Sequence, residues 1–376
     1  MGAVALTSDL KRKKWMREGL IQAASKSFWT PMTGSSKDSV VFQANNGTAG
    51  AGHTVVFDFA GNISGKAIKG KDTAYGKGEQ KRKFSDKLTV DRYRLVVDNG
   101  DEFDAVDIGD LNISQHSDSR SKLGDLFVRF KDQALFDAAQ GNIGQTPSHT
   151  IDLGTTFTFD NLLDIEKILK TSNGYTTGAV RRPLESYRTQ DGKPLWLFIV
   201  DSAMANILRQ DTAGYQTIVR SGDFRGNKNR NISGVIGQLG RMLIVEADQF
   251  FGATAGTTTG WDLDDSEIEI AGLRQYAGSD PATATWTGQT GFDYSHANLH
   301  SRGVIVGAGA LQIGMGKQPD YKFQASQDFG IKSESAVEFW MDTRKTNMTL
   351  ELGDDYESAK VAGIDYGVVA VDLEVQ

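Results

Sequence analysis

The sequence predicts an α+β protein, and three observations carry that expectation. Continuous apolar runs of strand length occur at Leu195–Val200 (LWLFIV) and within Gly237–Ala247 (GQLGRMLIVEA). A long amphipathic helical period spans Ser119–Ala139, with Leu123, Leu126, Phe127, Phe130, Ala134 and Ala138 on one stripe. Strand-like and helix-like stretches then mix along the second half of the chain, with no internal repeat at solenoid or propeller period.

Composition bounds what such a chain can be. Its 376 residues exceed one small core, so two or three domains, or one elaborated domain, are expected. Hydrophobic content of 39% against 24% charged residues is that of a water-soluble globular protein. The 42 glycines and only 6 prolines favour tight turns and flexible arms over stiff proline-rich linkers. With no cysteine there is no disulfide, thiolate metal site or cysteine nucleophile. The N-terminus lacks the order of a secretory signal, and no window approaches the roughly 18 apolar residues of a membrane span, so no membrane partner is expected.

Taken in order, residues 1–53 read as an arm with one loosely periodic helix over Leu10–Ser27 and a hinge of small residues at Ala44–Gly52. Thr54–Phe59 (TVVFDF) is β-branched and aromatic, hence a strand. Glycines at 61, 65, 70, 76 and 78 then alternate with lysines, and Leu88–Val97 (LTVDRYRLVV) reads as the return strand. The apolar phase of that strand flips near Asp91 and Arg92, as happens at a bulge or where a strand passes from one neighbour to another. The pair forms a long hairpin whose tip has no hydrophobic face. A two-stranded hairpin is marginal alone in water, so this one needs a docking surface, and the chain looks built to interlock with copies of itself.

The helix of Ser119–Ala139 keeps Arg120, Asp125, Lys131 and Asp132 largely off its apolar stripe and stops at Gly141. A second helix is expected at Phe159–Leu169, capped by Asp160, and a third opens at Asp201 and Ser202 and runs through Leu208. Val304–Val306 reads as a buried strand followed by a small-residue helix, Ala308–Ile313. Residues 252–300 read as surface loops, and the chain closes on two strand candidates, Asn347–Leu352 and Tyr366–Val375.

Motifs for chemistry are scarce. GAGALQIGMGK (Gly307–Lys317) departs from the phosphate-loop pattern, because Leu311 stands where that pattern needs glycine and Gln318 follows Lys317; close strand-to-helix packing is the plainer reading. His296 and His300 are four residues apart but sit outside any HExxH motif, and Asp262–Glu269 lacks the spacing of a calcium loop. No catalytic residue, cofactor site or metal site is therefore expected. The basic run Lys11–Arg17 encloses Trp15 and admits nucleic-acid or scaffold contact, though a net charge of -7 argues against a dedicated nucleic-acid binder. Charge is unevenly spread: Lys66–Arg94 is positive, whereas Asp262–Glu269 and the C-terminal part are negative. That pattern suits solvated faces and equally head-to-tail complementarity between identical subunits.

Several segments, in their order, resemble one family. They are GNISGKAIKGKDTAYGKGEQKRKFSDKLTVDRYRLVV, SRSKLGDLFVRFKDQALFDAAQG, SGVIGQLGRMLIVEA, RGVIVGAGALQIGMGK and the terminal GIDYGVVAVDLEV. Together they are similar to the major capsid proteins of tailed phages, of the Hong Kong 97 fold and the podovirus-type branch. The resemblance implies an N-terminal arm at 1–53, an extended loop at 54–97, a peripheral domain with the spine helix at 98–194, a mainly axial domain at 195–340, and a return to the peripheral domain at 341–376. Leu123, Leu126, Phe127 and Phe130 would form the spine-helix core. Lys69, Lys71, Lys77, Lys81, Arg82, Lys83 and Lys87 would contact a neighbouring subunit.

The implied function is structural: hexamers and pentamers of an icosahedral head around double-stranded DNA, which is held by non-specific contact. The implied partners are copies of itself, a portal, and scaffold or decoration proteins. The implied location is the virion, with assembly in the host cytoplasm. The alternatives are an encapsulin-like nanocompartment shell and, from another class, an enzyme with dispersed site residues.

Overall fold

The computed structural model describes residues 27–36, 38–45, 52–60, 67–78, 83–101, 115–140, 149–171, 187–188, 192, 194–211, 214–216, 235–247, 299–317, 319–327, 332–348 and 364–375. The basic run Lys11–Arg17, the acidic stretch Asp262–Glu269, His296, and the lysine and arginine at 81 and 82 lie outside these residues.

After a 3-10 turn at Thr30–Met32 come β1 (Thr33–Gly34), β2 (Val41–Asn45), β3 (Thr54–Ala60), β4 (Lys83–Thr89) and β5 (Asp91–Asp101). Helix α1 (Gln115–Gln140) is followed by β6 (Thr150–Asp152), α2 (Phe159–Thr171), β7 (Tyr187–Arg188), β8 (Pro194–Val200) and α3 (Ser202–Gln210). Then come β9 (Val235–Leu239), β10 (Met242–Glu246), β11 (Leu299–Val306), β12 (Leu311–Met315), β13 (Asp320–Gln327), β14 (Lys332–Lys345), β15 (Asn347–Met348), β16 (Ile364–Asp365) and β17 (Val368–Val375).

These strands make two large sheets. One has the order β1-β2-β12-β14-β13, with β5 on the other side of β14; the second has the order β6-β17-β11-β8-β10-β9, with β7 also on β8. Strands β3 and β4 form a separate two-stranded hairpin. Strand β8 shows why the second sheet needs cover on both faces. Leu197 and Ile199 point into the core shared with α1, whereas Trp196, Phe198 and Val200 point into the core shared with α2 and α3. A run apolar on both faces can only sit inside a covered sheet. The N-terminus of α3 is capped as its sequence suggests, with the Met204 amide donating to Asp201 Oδ1 at 2.7 Å.

Four readings of the sequence change. The small-residue helix expected at Ala308–Ile313 is instead a turn leading into β12, because Leu311–Met315 pairs with β2 and β14 and the sheet supplies its backbone hydrogen bonds. Gly307–Lys317 therefore links two strands, not a strand and a helix. Asp160 lies within the first turn of α2; ahead of it, the Thr158 amide and hydroxyl donate to Asn161 Oδ1 at 2.9 and 2.7 Å. The boundary drawn at residue 340 falls inside β14. Strands β12, β13 and β14 share the sheet of β2 and β5, while the terminal strand β17 lies between β6 and β11.

Helix α1 is longer than expected and more deeply covered. Its stripe is buried as read, with Leu123, Phe127, Phe130, Ala134 and Ala138 inside and Leu126 packed at the margin. Asp132, Gln133, Asp137 and Gln140 are buried too. The reason is the chain just before β1: Phe28 and Trp29 pack on Phe136 at centroid distances of 5.3 and 4.9 Å, closing the second flank of the helix. Asp132 tolerates burial because Ser27 Oγ donates to one carboxylate oxygen at 2.6 Å and the Phe28 amide to the other at 2.7 Å. Burial still raises the Asp132 carboxyl above its ordinary range and lowers its neighbour Lys131.

Candidate assembly interface

Among the described residues, the far end of the hairpin finds no support in its own chain. Residues 67–78 are exposed throughout, and Tyr75 is 95% exposed. Ile68 is also on the surface, beside Lys69, Lys71 and Lys77. An exposed tyrosine and isoleucine among lysines form a surface suited to a partner, because their apolar area stays in water until something covers it. Lys87 is exposed at the other end of the hairpin, directly opposite Val56. Lys83 lies on β4, opposite Ala60.

The root is the opposite of the tip. Leu88 and Val90 are buried with Phe57, and Phe42, Val55 and Trp340 close around them. This small core rests on Gly314 of β12, where a side-chain carbon would stand 2.6 Å from Leu88 Cδ2. Glycine at 314 is what lets the hairpin come down onto the sheet. Asp86 then fastens it. Its Oδ2 accepts from the Asn347 amide at 2.9 Å and from Gln312 Nε2 at 3.2 Å, and its Oδ1 accepts from the Lys87 amide at 2.8 Å. Arg344 stands 3.7 Å from the same carboxylate and donates to the Lys87 carbonyl at 3.1 Å. No pattern in the sequence marks this anchor: Asp86 is one carboxylate in a polar stretch, and its partners Gln312 and Asn347 lie more than 200 residues away.

Strand β4 pairs with β3 and strand β5 with β14, so the backbone changes neighbour at Val90. That is the phase flip read near Asp91 and Arg92. At the changeover the Gly52 amide donates to the Val90 carbonyl at 2.8 Å and the Val90 amide to the His53 carbonyl at 2.9 Å.

Beyond the hairpin, β14 carries two buried charges. Glu338 is 1% exposed and pairs with Arg92 of β5 and Lys322 of β13, a clamp across three strands. Lys345 Nζ pairs with Asp365 Oδ2 at 2.9 Å where β14 ends, with both side chains buried, and burial lowers the lysine. The end of α1 is tied to the second sheet by Arg302, whose Nη1 donates to the Gln140 carbonyl at 3.0 Å while Nε and Nη2 hold Asp372 at 2.6 and 2.9 Å. Among the described residues no group of three or more acidic or histidine side chains is placed to hold a metal ion, and no helix is long and apolar enough to cross a membrane.

A hairpin rooted in one sheet, a long helix beneath that sheet and a second sheet beside it match known structures over nearly their whole length. Residues 3–175 match the family model described as phage capsid protein. That stretch, just under half of the chain, is similar to the phage capsid protein family. The capsid of Ralstonia phage GP4 aligns over 100% of this chain and 95% of its own, with a TM-score of 0.66 at 16% identity. The head of Helicobacter pylori bacteriophage KHP40 aligns over 94% and 91%, at 0.65 and 13%. The capsid of cyanophage Pam1 aligns over 100% and 99%, at 0.56 and 12%. No curated protein sequence matches the chain. The fold is thus the Hong Kong 97-like α+β fold expected from the order of the segments.

Proposed function

We propose that the chain is the major shell subunit of a phage head, with many copies closing as hexamers and pentamers around double-stranded DNA, and that the loop at 67–78 works by lying on a neighbouring subunit. The observation that carries the second part is the contrast within one hairpin. Its root is held by Asp86 and a small core, while its tip exposes Tyr75 and Ile68 to water. A rigid root fixes where the tip reaches, and so lowers the ordering cost when the tip docks. Lys69, Lys71, Lys77, Lys81, Arg82, Lys83 and Lys87 would meet carboxylates of the neighbour.

The role is structural, with no catalytic step. Portal, scaffold or decoration proteins would be further partners, the DNA would be met through non-specific contact, and assembly would take place in the host cytoplasm. In this reading the sheet above α1 serves as the peripheral body, and the sheet of β8 and β11, with α2 and α3, serves as the axial body.

The test is deletion of the tip, residues 69–83, joined by a short glycine linker. The variant should be soluble and unfold cooperatively yet form no closed shells by negative-stain microscopy, whereas the parent does. Normal shells from the deletion would refute the role of the loop. Shells of the parent that contain protein and no DNA would refute the phage-head reading while leaving the loop's role intact.

A further inference from the structure

We propose that the free edge of β5, over Arg92–Val96, takes up a strand of a second copy of this chain, so that the first sheet continues from one subunit into the next. The partner rests on the proposed shell; the site rests on the backbone of this chain alone.

The register decides which backbone groups lie on that edge. Strand β14 separates β5 from β12 and β13. The Gly316 amide donates to the Trp340 carbonyl at 3.0 Å, so Trp340 turns its backbone groups toward β12 and away from β5. Glu338 and Ala336 share that phase, because the direction of the backbone groups alternates along a strand. The register partners of these three residues on β5 are Arg92, Arg94 and Val96. Their amides and carbonyls therefore point away from β14, to the open side. Val90 has the same phase, and its outward groups are met by the Gly52 amide and the His53 carbonyl. Beyond Val90, no strand among the described residues pairs with that side of β5.

The side chains leave the edge open. Free edges are commonly guarded by charged side chains or proline. Strand β5 has no proline. Arg92 is drawn back across the sheet, where it pairs with Glu338 and lies 5.9 Å from the Trp340 ring. Val96 is 55% exposed, and Tyr93 and Leu95 on the other face are only half-buried. An added strand would cover apolar surface on both faces while it bonds the outward amides and carbonyls. A second copy fits this edge on two counts. The open edge continues the side of the chain on which the hairpin begins, and the tip of that hairpin is proposed to lie on a neighbour. Arg94 is exposed beside the edge, and a chain of net charge -7 offers it carboxylates from a copy.

The experiment is hydrogen exchange, read residue by residue on the dispersed full chain and on assembled shells. In the dispersed chain the amides of Arg92, Arg94 and Val96 should exchange fast, and those of Tyr93 and Leu95, which face β14, slowly. In shells the first three should slow about a hundredfold while the other two change little. Val96→Pro removes one outward donor and none that faces β14. Compared with Val96→Ala, it should raise the concentration needed for shells several-fold; if it does not fold, the exchange pattern of the parent decides alone. Shells in which the three amides stay fast overturn the pairing and leave the proposed function standing. Protection already complete in the dispersed chain does the same, since the chain would then cover its own edge. Protected amides in shells that hold protein and no DNA leave the pairing standing while the phage-head reading fails. A chain that forms no particle overturns both.

Discussion

Asp86 accepts the backbone amide hydrogen of Asn347 at 2.9 Å, across a separation of 261 residues. One buried carboxylate so joins the strand that returns from the exposed loop to the end of the longest strand of the sheet. The bond fixes the direction in which the hairpin leaves the body.

Replacing that carboxylate is the first test. Asp86→Ala strands the Asn347 amide and Gln312 Nε2 in a closed site. Each stranded buried donor costs about 1–3 kcal/mol. The midpoint of denaturant unfolding should fall accordingly, with exchange at the Asn347 amide accelerating first. An unchanged midpoint would show that the root is held by its apolar contacts alone.

The packing under the root gives a second, steric test. Gly314→Ala places a carbon 2.6 Å from Leu88 Cδ2 and 3.5 Å from Val90 Cγ2. Overpacking of this kind costs about 1–3 kcal/mol. Trimming the obstacle should repair it, so Gly314→Ala with Leu88→Val should be more stable than the sum of the single effects. Additive losses in the double-mutant cycle would mean that the two positions do not touch.

Helix α1 should set the stability of the body. Phe127 and Phe130 are each 5% exposed, and both meet Phe339 of β14 at centroid distances of 4.7 and 5.4 Å. Truncating either to Ala should cost about 3–5 kcal/mol, measured by denaturant titration. A loss under 1 kcal/mol at both would remove α1 from the core.

The buried pair at the end of β14 predicts a non-additive result. Lys345→Ala leaves Asp365 without its ammonium partner in a site closed to water. Breaking a buried pair on one side costs about 3–5 kcal/mol, whereas replacing both partners by apolar residues of similar size can be neutral or better. Lys345→Met with Asp365→Leu should therefore be more stable than Lys345→Met alone. If the double variant is the least stable of the set, the pair is worth more than its desolvation.

Charge on the loop is tested in assembly. Changing Lys69, Lys71 and Lys77 to Glu should leave unfolding of the single chain unchanged, since all three are exposed. Shell formation should weaken, most at low ionic strength, because the Debye length falls to about 3 Å at 1 M salt and screens the new repulsion. Light scattering against salt concentration reads this directly, and a profile identical to the parent's would leave docking of the loop to Tyr75 and Ile68.

What the sequence by itself determined are features with a local cause. Period-3.6 spacing of large apolar residues gave α1 and the side chains Leu123, Phe127 and Phe130 that it buries. Asp201 and Ser202 opened α3, because a carboxylate one residue ahead of a helix meets an unpaired amide. The apolar run at Leu195–Val200 marked a strand covered on both faces, and the flip at Asp91 and Arg92 marked a change of strand partner, because alternation records which side is wet. The polar, glycine-rich tip marked a segment without a core of its own. Tertiary structure alone decided the rest. Leu311–Met315 became a strand because β2 and β14 were there to bond it, where a small-residue helix had been expected over Ala308–Ile313. Asp132 entered the core because Ser27 and Phe28 met it from 105 and 104 residues away. Asp86 became the anchor of the hairpin only once Gln312 and Asn347 were brought beside it. A lone carboxylate carries no periodicity, so its role emerges only from partners that the folded chain assembles around it.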